Sequence, residues 1–536
     1  MKKYNVFKVL LLALLAAIVV SFLIPSSTIG YSSSIEKGAI NPINFVDSIS
    51  NGLTSFSVFI SAFVYILCIG VFYAVLKKSE KYDVVINNTA CKFKNNKGLF
   101  LVISILTLGL LTAVIGDILP MLVMVPAFID IAKKLGYDSK KAIVSTIGAI
   151  ILGSAGSLNT TYVNQIMQTT VTTNIIAKVI VLVISLGSLV AFALLGKKAE
   201  DVKLETVEAK KALPISIAFD IVLFLIVLGM VPWNGYFGFE GFSKFHQTIT
   251  EFKIYDVPVF NAIVGSTLTA FGEWNIYVVS VLLVVTSVIL ALIYKIKVDG
   301  MFEAVAKGVR VALPFALILI VSNMVLVGVY NSGFFTTVIT SVAKMKDTVL
   351  SATTLSALSS VVYPDYSYAV QFTLATITYV ISDTAIYVVL ALVFQAIYSL
   401  FLLVSPTSVL VLMGLHYESV SYKEWIKYIY KYFLGLLIVF FMILMIVGQK
   451  YITTISYVVF GILIVILVLF IVLSRNKKQV VEETKKVEVK EEKKETVKKA
   501  EPKKETTKKS NTAKKTTTTK KTTNTKKSAK NTSKKK

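Results

Sequence analysis

Two interruptions of long apolar runs carry the polar side chains that could do chemistry in this chain. The first holds an aspartate, Asp117, within the sequence Gly-Asp-Ile-Leu-Pro at 116–120. The second is the polar stretch 153–161, which contains Ser157 and Asn159. Hydrocarbon offers no partner to a carboxylate or to an unpaired backbone group, so a plain membrane-spanning helix disfavours both features. Together they predict a polar chamber at membrane depth, built from discontinuous helices.

Asp117 is the strongest single candidate for a ligand-binding side chain. A charged aspartate at the bilayer centre costs about 3 kcal/mol even on the lenient insertion scales. We therefore expect an ion, a proton or a cationic substrate group to compensate it. The alternative is that the turn carrying Asp117 lies nearer to the membrane surface, where no such compensation is needed.

The first helix break has the side chains of an ion site. A break leaves free N–H groups on one half-helix and free carbonyls on the other, and secondary transporters bind substrates and ions there. Small oxygen-bearing side chains beside such carbonyls suit a hard cation such as Na⁺. Ser157, Asn159 and Thr160 are of this type, and Thr161 follows them. The alternative is that these side chains satisfy only the broken backbone.

The second half of the chain repeats this order. A polar turn at 363–368 contains Asp365 and Ser367, and a second break follows with the sequence Ser-Pro-Thr-Ser at 405–408. We expect Asp365 to be the counterpart of the first aspartate and the second break to mirror the first. Candidate ligands of a sodium ion are Ser157, Asn159, Thr160, Ser405 and Thr407.

Composition places the chain among polytopic membrane proteins. Its 536 residues are 55% hydrophobic and 16% charged, with a mean hydropathy of +0.73, which is too apolar for a soluble protein of this length. The net charge of +25 is concentrated in a Lys-rich tail at 475–536, for which we expect disorder. The tail is either a solvated appendage or a segment attracted to anionic headgroups or nucleic acid. No nucleophile–base pair or metal-ligand cluster is visible, so no enzyme activity is expected.

Apolar runs and their basic flanks predict an all-α polytopic fold with both termini in the cytoplasm. It consists of two inverted repeats, each with a re-entrant hairpin and a broken transmembrane helix. The predicted parts are a first helix with an external segment (1–57), a first repeat (58–196; hairpin 98–135, broken helix 142–170), a linker with two helices (197–300), a second repeat (301–448; hairpin 347–381, broken helix 384–415), an extra helix (449–474) and the tail (475–536).

Several segments resemble a known family. They are Ala-Phe-Gly-Glu-Trp at 270–274, the stretch from Ser-Pro-Thr-Ser at 405–408 to Val-Ser-Tyr-Lys-Glu-Trp at 420–425, and the region 308–324 followed by Gly333. Pro126, the sequence Gly-Tyr-Asp-Ser at 136–139, and Gly148 leading to Asn159 fit as well. Between residues 58 and 447 the chain resembles the YfcC-like branch of the ion-transporter superfamily, whose neighbours include the anaerobic C4-dicarboxylate carriers.

The resemblance implies a secondary carrier for amino acids or small carboxylates, with two hairpins, two broken helices and elevator-like motion. Asn323 stands where the family has an arginine, and Gln395 is retained. The candidate substrate-binding residues are Asp117, Asn159, Thr160, Thr161, Asn323, Asp365, Ser367, Gln395, Thr407 and Ser408.

We expect a plasma-membrane symporter or exchanger that needs no cofactor beyond Na⁺ or H⁺ as coupling ion. Its expected partners are the substrate, membrane lipids and a second copy in a homodimer, with no specific nucleic acid. Because other family motifs are rewritten here, the alternative is a carrier-derived membrane scaffold whose basic tail is the functional part.

Overall fold

Eight helices in the described part of the chain are long and apolar enough to cross a membrane. They belong to a computed structural model, which describes residues 5–29, 34–196, 198–207, 211–470 and 472. The chain is thus a multi-pass membrane protein, and the predicted all-α polytopic fold class is confirmed. The prediction of a disordered tail at 475–536 lies outside the described residues.

The first half begins with two helices and a small hairpin and continues through the first interrupted region. Its elements are α1 (Asn5–Ser21), β1 (Ser27–Ile29), β2 (Ile35–Lys37), α2 (Phe45–Val58), α3 (Ile60–Lys78), α4 (Tyr82–Lys92), α5 (Lys97–Ile115), a 3₁₀ turn (Pro120–Val123), α6 (Val125–Lys134), α7 (Ser139–Ile143), a π turn (Val144–Gly148), α8 (Ala149–Ala155), α9 (Thr161–Ile166) and α10 (Ile175–Leu194). The two strands pair antiparallel.

A linker of two long helices and several short elements joins the halves. It contains α11 (Leu213–Met230), α12 (Trp233–Phe237), α13 (Gly241–Glu251), the antiparallel strands β3 (Lys253–Ile254) and β4 (Val257–Pro258), α14 (Val259–Val264) and α15 (Ile276–Ile293).

The second half contains the second interrupted region and ends on an apolar helix. Its elements are α16 (Val298–Ser332), α17 (Phe334–Val342), α18 (Thr348–Val362), α19 (Tyr366–Ala369), a π turn (Val370–Leu374), α20 (Ala375–Thr378), a 3₁₀ turn (Thr384–Ile386), α21 (Tyr387–Leu402), α22 (Val409–Tyr417), α23 (Tyr422–Val447), a 3₁₀ turn (Gln449–Tyr451) and α24 (Thr454–Phe470).

The two halves repeat one packing scheme. Helix α5 packs against α8 in the first half, and α18 packs against α21 in the second. Helices α10 and α23 then pack against α8 and α21, respectively, and α8 also contacts α21. Each half therefore presents a hairpin turn and a helix break to the other. The domain boundaries drawn from the sequence remain predictions.

A separate helical group supports these repeats, because α3 packs extensively against both α15 and α16. Glycines let the backbones of α3 and α16 meet. A Cβ added at Gly70 would lie 2.6 Å from the carbonyl oxygen of Gly308, and one at Gly308 would lie 2.7 Å from that of Gly70. Between membrane helices the lipid leaves no hydrophobic driving force. Close van der Waals packing of small residues stabilises such a crossing instead.

The first half of helix α2, residues 45–51, lies within the segment 28–51, for which the sequence predicts an external connection. Its cap is Asn44, whose side chain accepts a hydrogen bond from the Asp47 backbone. The polar face points inward, because the Ser55 hydroxyl donates to the Ile320 carbonyl oxygen at 2.9 Å and Asn51 bonds with Asn331. Apolar residues face outward. This reversed polarity explains why the sequence pattern concealed the helix.

Asp347 ties the second hairpin to the last helix. Its Oδ1 caps α18 by accepting from the Leu350 N–H at 3.0 Å, and its Oδ2 accepts from the Thr453 and Ser456 N–H groups at 2.8 and 3.2 Å. Burial alone would raise the pKa of the carboxyl, but these hydrogen bonds outweigh it and lower the pKa. The folded state therefore favours the ionised form.

Replacing Asp347 by alanine should lower the free energy of unfolding by about 3 kcal/mol, because a cap and charged hydrogen bonds are lost together. Asp347→Asn keeps the capping oxygen and should cost less. Since the folded pKa is depressed, the ionic contribution is present above about pH 4, the unfolded value, and is lost as the pH falls through the lower folded value. Unfolding in mixed micelles between pH 3 and about pH 7 checks both points; equal stability of the alanine variant and the wild type would contradict this role.

Candidate functional site

A cavity of about 470 Å³ lies where the two hairpin turns and the two helix breaks meet. Asp117 and Asp365 line it from the two turns, Asn159 from the first break and Ser408 from the second. Helix α16 contributes Asn323. Part of the inter-repeat linker, residues 272–276, forms a further wall. The cavity therefore combines parts of the chain that are separated by up to some three hundred residues.

The first break is held by the end of α5. The Leu158 N–H and the Ser157 hydroxyl both donate to the Ala113 carbonyl oxygen, at 2.9 and 3.0 Å. The Asn159 amide donates to the Ile115 carbonyl oxygen at 2.8 Å. Because the last carbonyls of a helix have no intrahelical partner, the broken segment and the helix end satisfy one another.

The second break repeats this arrangement with the end of α18. The Ser405 hydroxyl donates to the Ser360 carbonyl oxygen at 2.9 Å, and the Thr407 hydroxyl donates to the Val361 carbonyl oxygen at 2.7 Å. The two hydroxyls lie 3.0 Å apart and both residues are buried. Neutral oxygens of this kind are the ligands that a hard cation prefers, so the donor set of the second break fits Na⁺.

Gln395 connects the halves. It lies on α21, and its amide Nε2 donates to the carbonyl oxygens of Ser157 and Ser154 at 2.7 and 3.3 Å. Its Oε1 has no hydrogen-bond partner among the residues that the structure describes. The neighbouring Ser399 accepts a hydrogen bond from the Ser154 hydroxyl at 3.0 Å. The second half thus satisfies carbonyls that the first break exposes.

Each aspartate is oriented by its own turn. Asp117 Oδ1 accepts from the Leu119 N–H at 3.0 Å. Asp365 Oδ1 accepts from the Ser367 hydroxyl at 2.6 Å and from the Tyr368 N–H at 3.2 Å. Both residues also line the cavity, so each turn presents a carboxyl group to its open space.

The charge of the lining is one-sided. Carboxyl groups come from Asp117, Asp365 and Glu273, whereas no lysine, arginine or histidine of the described chain lines this cavity. Asn323 is fully buried; its amide donates to the Leu319 carbonyl oxygen at 3.1 Å, and no described residue is a hydrogen-bond partner of its Oδ1. Such a lining attracts a cation or an ammonium group.

Most of the residues singled out in the sequence lie at this cavity. Those that line it are Asp117, Ser157, Asn159, Thr160, Thr161, Asn323, Asp365, Ser367 and Ser408. Gln395, Ser405 and Thr407 are not lining residues; they are buried within the breaks and hold the backbone there. Whether any of them binds a ligand remains a prediction.

Three further residues were not assigned from the sequence. Glu273 and Trp274 line the cavity, although from the sequence these residue types are expected to anchor the chain at the membrane interface. Lys178 is 4% exposed in α10, and its Nζ lies 3.3 Å from the Thr160 hydroxyl oxygen. A lysine alone in an apolar run is a signal that could have identified it.

Comparisons with known proteins add a distant structural likeness. No family model matches the chain, and no curated protein matches it. The crystal structure of the Alcanivorax borkumensis YdaH transporter, described as having an unusual topology, is similar over 84% of this chain and 98% of that chain. The two share 11% sequence identity with a TM-score of 0.40, which is too low to establish a common family.

Proposed function

We propose that this chain is a secondary active transporter of amino acids or small carboxylates in the plasma membrane, working as a symporter or exchanger. The observation that carries the proposal is the convergence of two hairpin turns and two helix breaks on one cavity that holds Asp117 and Asp365. Discontinuous helices that meet in this way are the usual binding-site architecture of secondary transporters.

The lining favours a substrate with an amino group. Its titratable side chains include the carboxyl groups of Asp117 and Asp365, and an unpaired carboxylate at membrane depth requires a cation. A dicarboxylate would add negative charge to a lining without a cationic side chain. An amino acid instead brings an ammonium group for the aspartates, and Asn323 can bind polar substrate atoms through its unpartnered oxygen.

The packing supports movement of the elevator type. The hairpins and broken helices contact one another through α5, α8, α18 and α21, whereas α3 packs mainly against α15 and α16 in a second group. We propose that the first group carries the cavity past the second. Coupling would come from Na⁺ or H⁺ at the breaks.

A ligand screen followed by a flux assay tests this proposal. The purified full-length chain should be stabilised against heating by at least one amino acid, more than by dicarboxylates, because a ligand that binds only the folded state raises its stability. The same compound should then show counterflow in proteoliposomes. If no compound changes the unfolding temperature and none is transported, the carrier proposal fails and the scaffold alternative is favoured; deletion of residues 477–536 would then abolish the cellular role.

A further inference from the structure

Lys178 is a buried cation that the cavity does not use directly. It lies in the first turn of α10, is 4% exposed, and is not among the residues that line the cavity. Burial removes the water that would solvate its ammonium, and the positive end of the helix dipole disfavours a cation in the first turn. Desolvation and the helix dipole therefore both make a charged lysine unfavourable at this position. We expect it to have a role that compensates for these costs.

The backbone packing places Lys178 at the first break. Helix α10 touches the break directly, because a Cβ added at Gly156 would lie 2.6 Å from the backbone nitrogen of Leu182. One helical turn before Leu182, the Lys178 ammonium donates to the Thr160 hydroxyl at 3.3 Å. Thr160 in turn donates to Asn164 Oδ1 at 3.1 Å, which leaves its lone pairs for the ammonium.

In the described part of the chain this ammonium has no acidic partner. Among residues 5–29, 34–196, 198–207 and 211–470, no carboxylate oxygen lies within 4 Å of it. Its hydrogen-bond acceptor is the Thr160 hydroxyl oxygen of the first break. In secondary transporters, neutral oxygens at a helix break can bind a sodium ion. The Lys178 ammonium is a cation in the same kind of position.

The second break provides the internal comparison. Helix α23, the counterpart of α10, supplies neutral donors there: the Trp425 indole donates to the Leu403 carbonyl oxygen at 2.8 Å, and the Tyr422 hydroxyl donates to that of Val404. Among the described residues, the hydrogen-bond partners of the Ser405 and Thr407 hydroxyls include no lysine. Among these contacts the first break thus has a lysine ammonium as a donor, whereas the donors at the second break are neutral.

We propose that the Lys178 ammonium is the resident cation of the first break and takes the place of a sodium ion there, so that any sodium dependence arises at the second break. Two like charges sharing the oxygens around Thr160 would repel strongly in a medium of low dielectric constant. The inference rests on the proposed function insofar as it treats the breaks as cation sites. It makes the first break independent of Na⁺.

The test compares sodium responses of the full-length protein in detergent, with NaCl exchanged for choline chloride at constant ionic strength. Lys178→Met and Lys178→Gln should each gain a sodium-dependent rise in unfolding temperature, with one more Na⁺ bound than in the wild type. Lys141→Met is the matched control, since Lys141 is equally buried but contacts the Tyr137 ring rather than a break, and its sodium response should equal that of the wild type. A folded Lys178 variant without an added response overturns the proposal.

A second variant decides the question without altering Lys178. Thr407→Ala should remove whatever sodium response the wild type has, because the second break supplies it. A response that persists in Thr407→Ala with the wild-type affinity overturns the proposal. Neither measurement needs transport. If the Lys178 variants gain a sodium response but no substrate is transported, the role of Lys178 stands and the transporter proposal fails. If substrate is transported but the variants gain no sodium response, only the role of Lys178 is wrong.

Discussion

Asp117→Asn should weaken substrate binding by about 10- to 100-fold. A hydrogen bond to a charged group contributes about 1.5–3 kcal/mol, and each 1.4 kcal/mol is a factor of ten in affinity. Asparagine has nearly the same shape and keeps an oxygen for the Leu119 N–H, so the turn should persist while the negative charge disappears. Asp365→Asn should behave similarly, because its carboxyl lines the same cavity.

Uptake into proteoliposomes over a range of substrate concentrations measures this effect. The matched control is Asp138→Asn, because Asp138 caps α7 outside the cavity and asparagine is an equally good cap. Its uptake should equal that of the wild type. If Asp117→Asn transports as well as Asp138→Asn does, Asp117 is not a ligand and the site assignment is wrong.

Gly116→Ala should both destabilise the protein and abolish uptake. Gly116 has a φ of +84°, and a Cβ added there would lie 2.8 Å from Asn159 Cβ. The left-handed backbone and the overpacking each cost about 1–3 kcal/mol for an alanine, so the free energy of unfolding should fall by about 2–6 kcal/mol. Since the first hairpin turn and the first break meet at this point, relief of the clash must move Asp117 or Asn159.

Gly187→Ala is the control for this prediction. Gly187 lies within α10, and an added Cβ would have no atom within 4 Å. Alanine should therefore be neutral or slightly stabilising, by up to about 1 kcal/mol from helix propensity. Unfolding in mixed micelles and uptake are measured on both variants. Wild-type uptake by Gly116→Ala would show that the turn and the break tolerate separation, contrary to the packing described above.

The predictions for Asp117→Asn and Gly116→Ala both concern the place where the first hairpin turn contacts the first break. A loss of uptake in Gly116→Ala with normal unfolding would indicate a displaced site, whereas a loss of both would indicate a disrupted fold. The Asp117 variant separates these outcomes, because its backbone contacts are preserved and its charge alone is changed.

Hydropathy and local chemistry were enough to identify the multi-pass helical class, both helix breaks and the acidic turn residue Asp117. These features are local, because a carboxylate or a run of small polar residues interrupts an apolar segment regardless of what packs against it. The repetition of the order of elements in the second half was visible for the same reason. Helix α2 was missed because its polar face is turned inward.

Tertiary structure alone decided which polar side chains face the cavity and which ones hold the backbone. Gln395 binds the Ser157 carbonyl oxygen across 238 residues of sequence, and Thr407 turns toward the end of α18 rather than into the cavity. Lys178 reaches the first break only because α10 packs directly on Gly156. These side-chain orientations result from hydrogen bonds and close contacts between helices that are distant in the sequence. No periodicity or spacing in the sequence predicts such contacts.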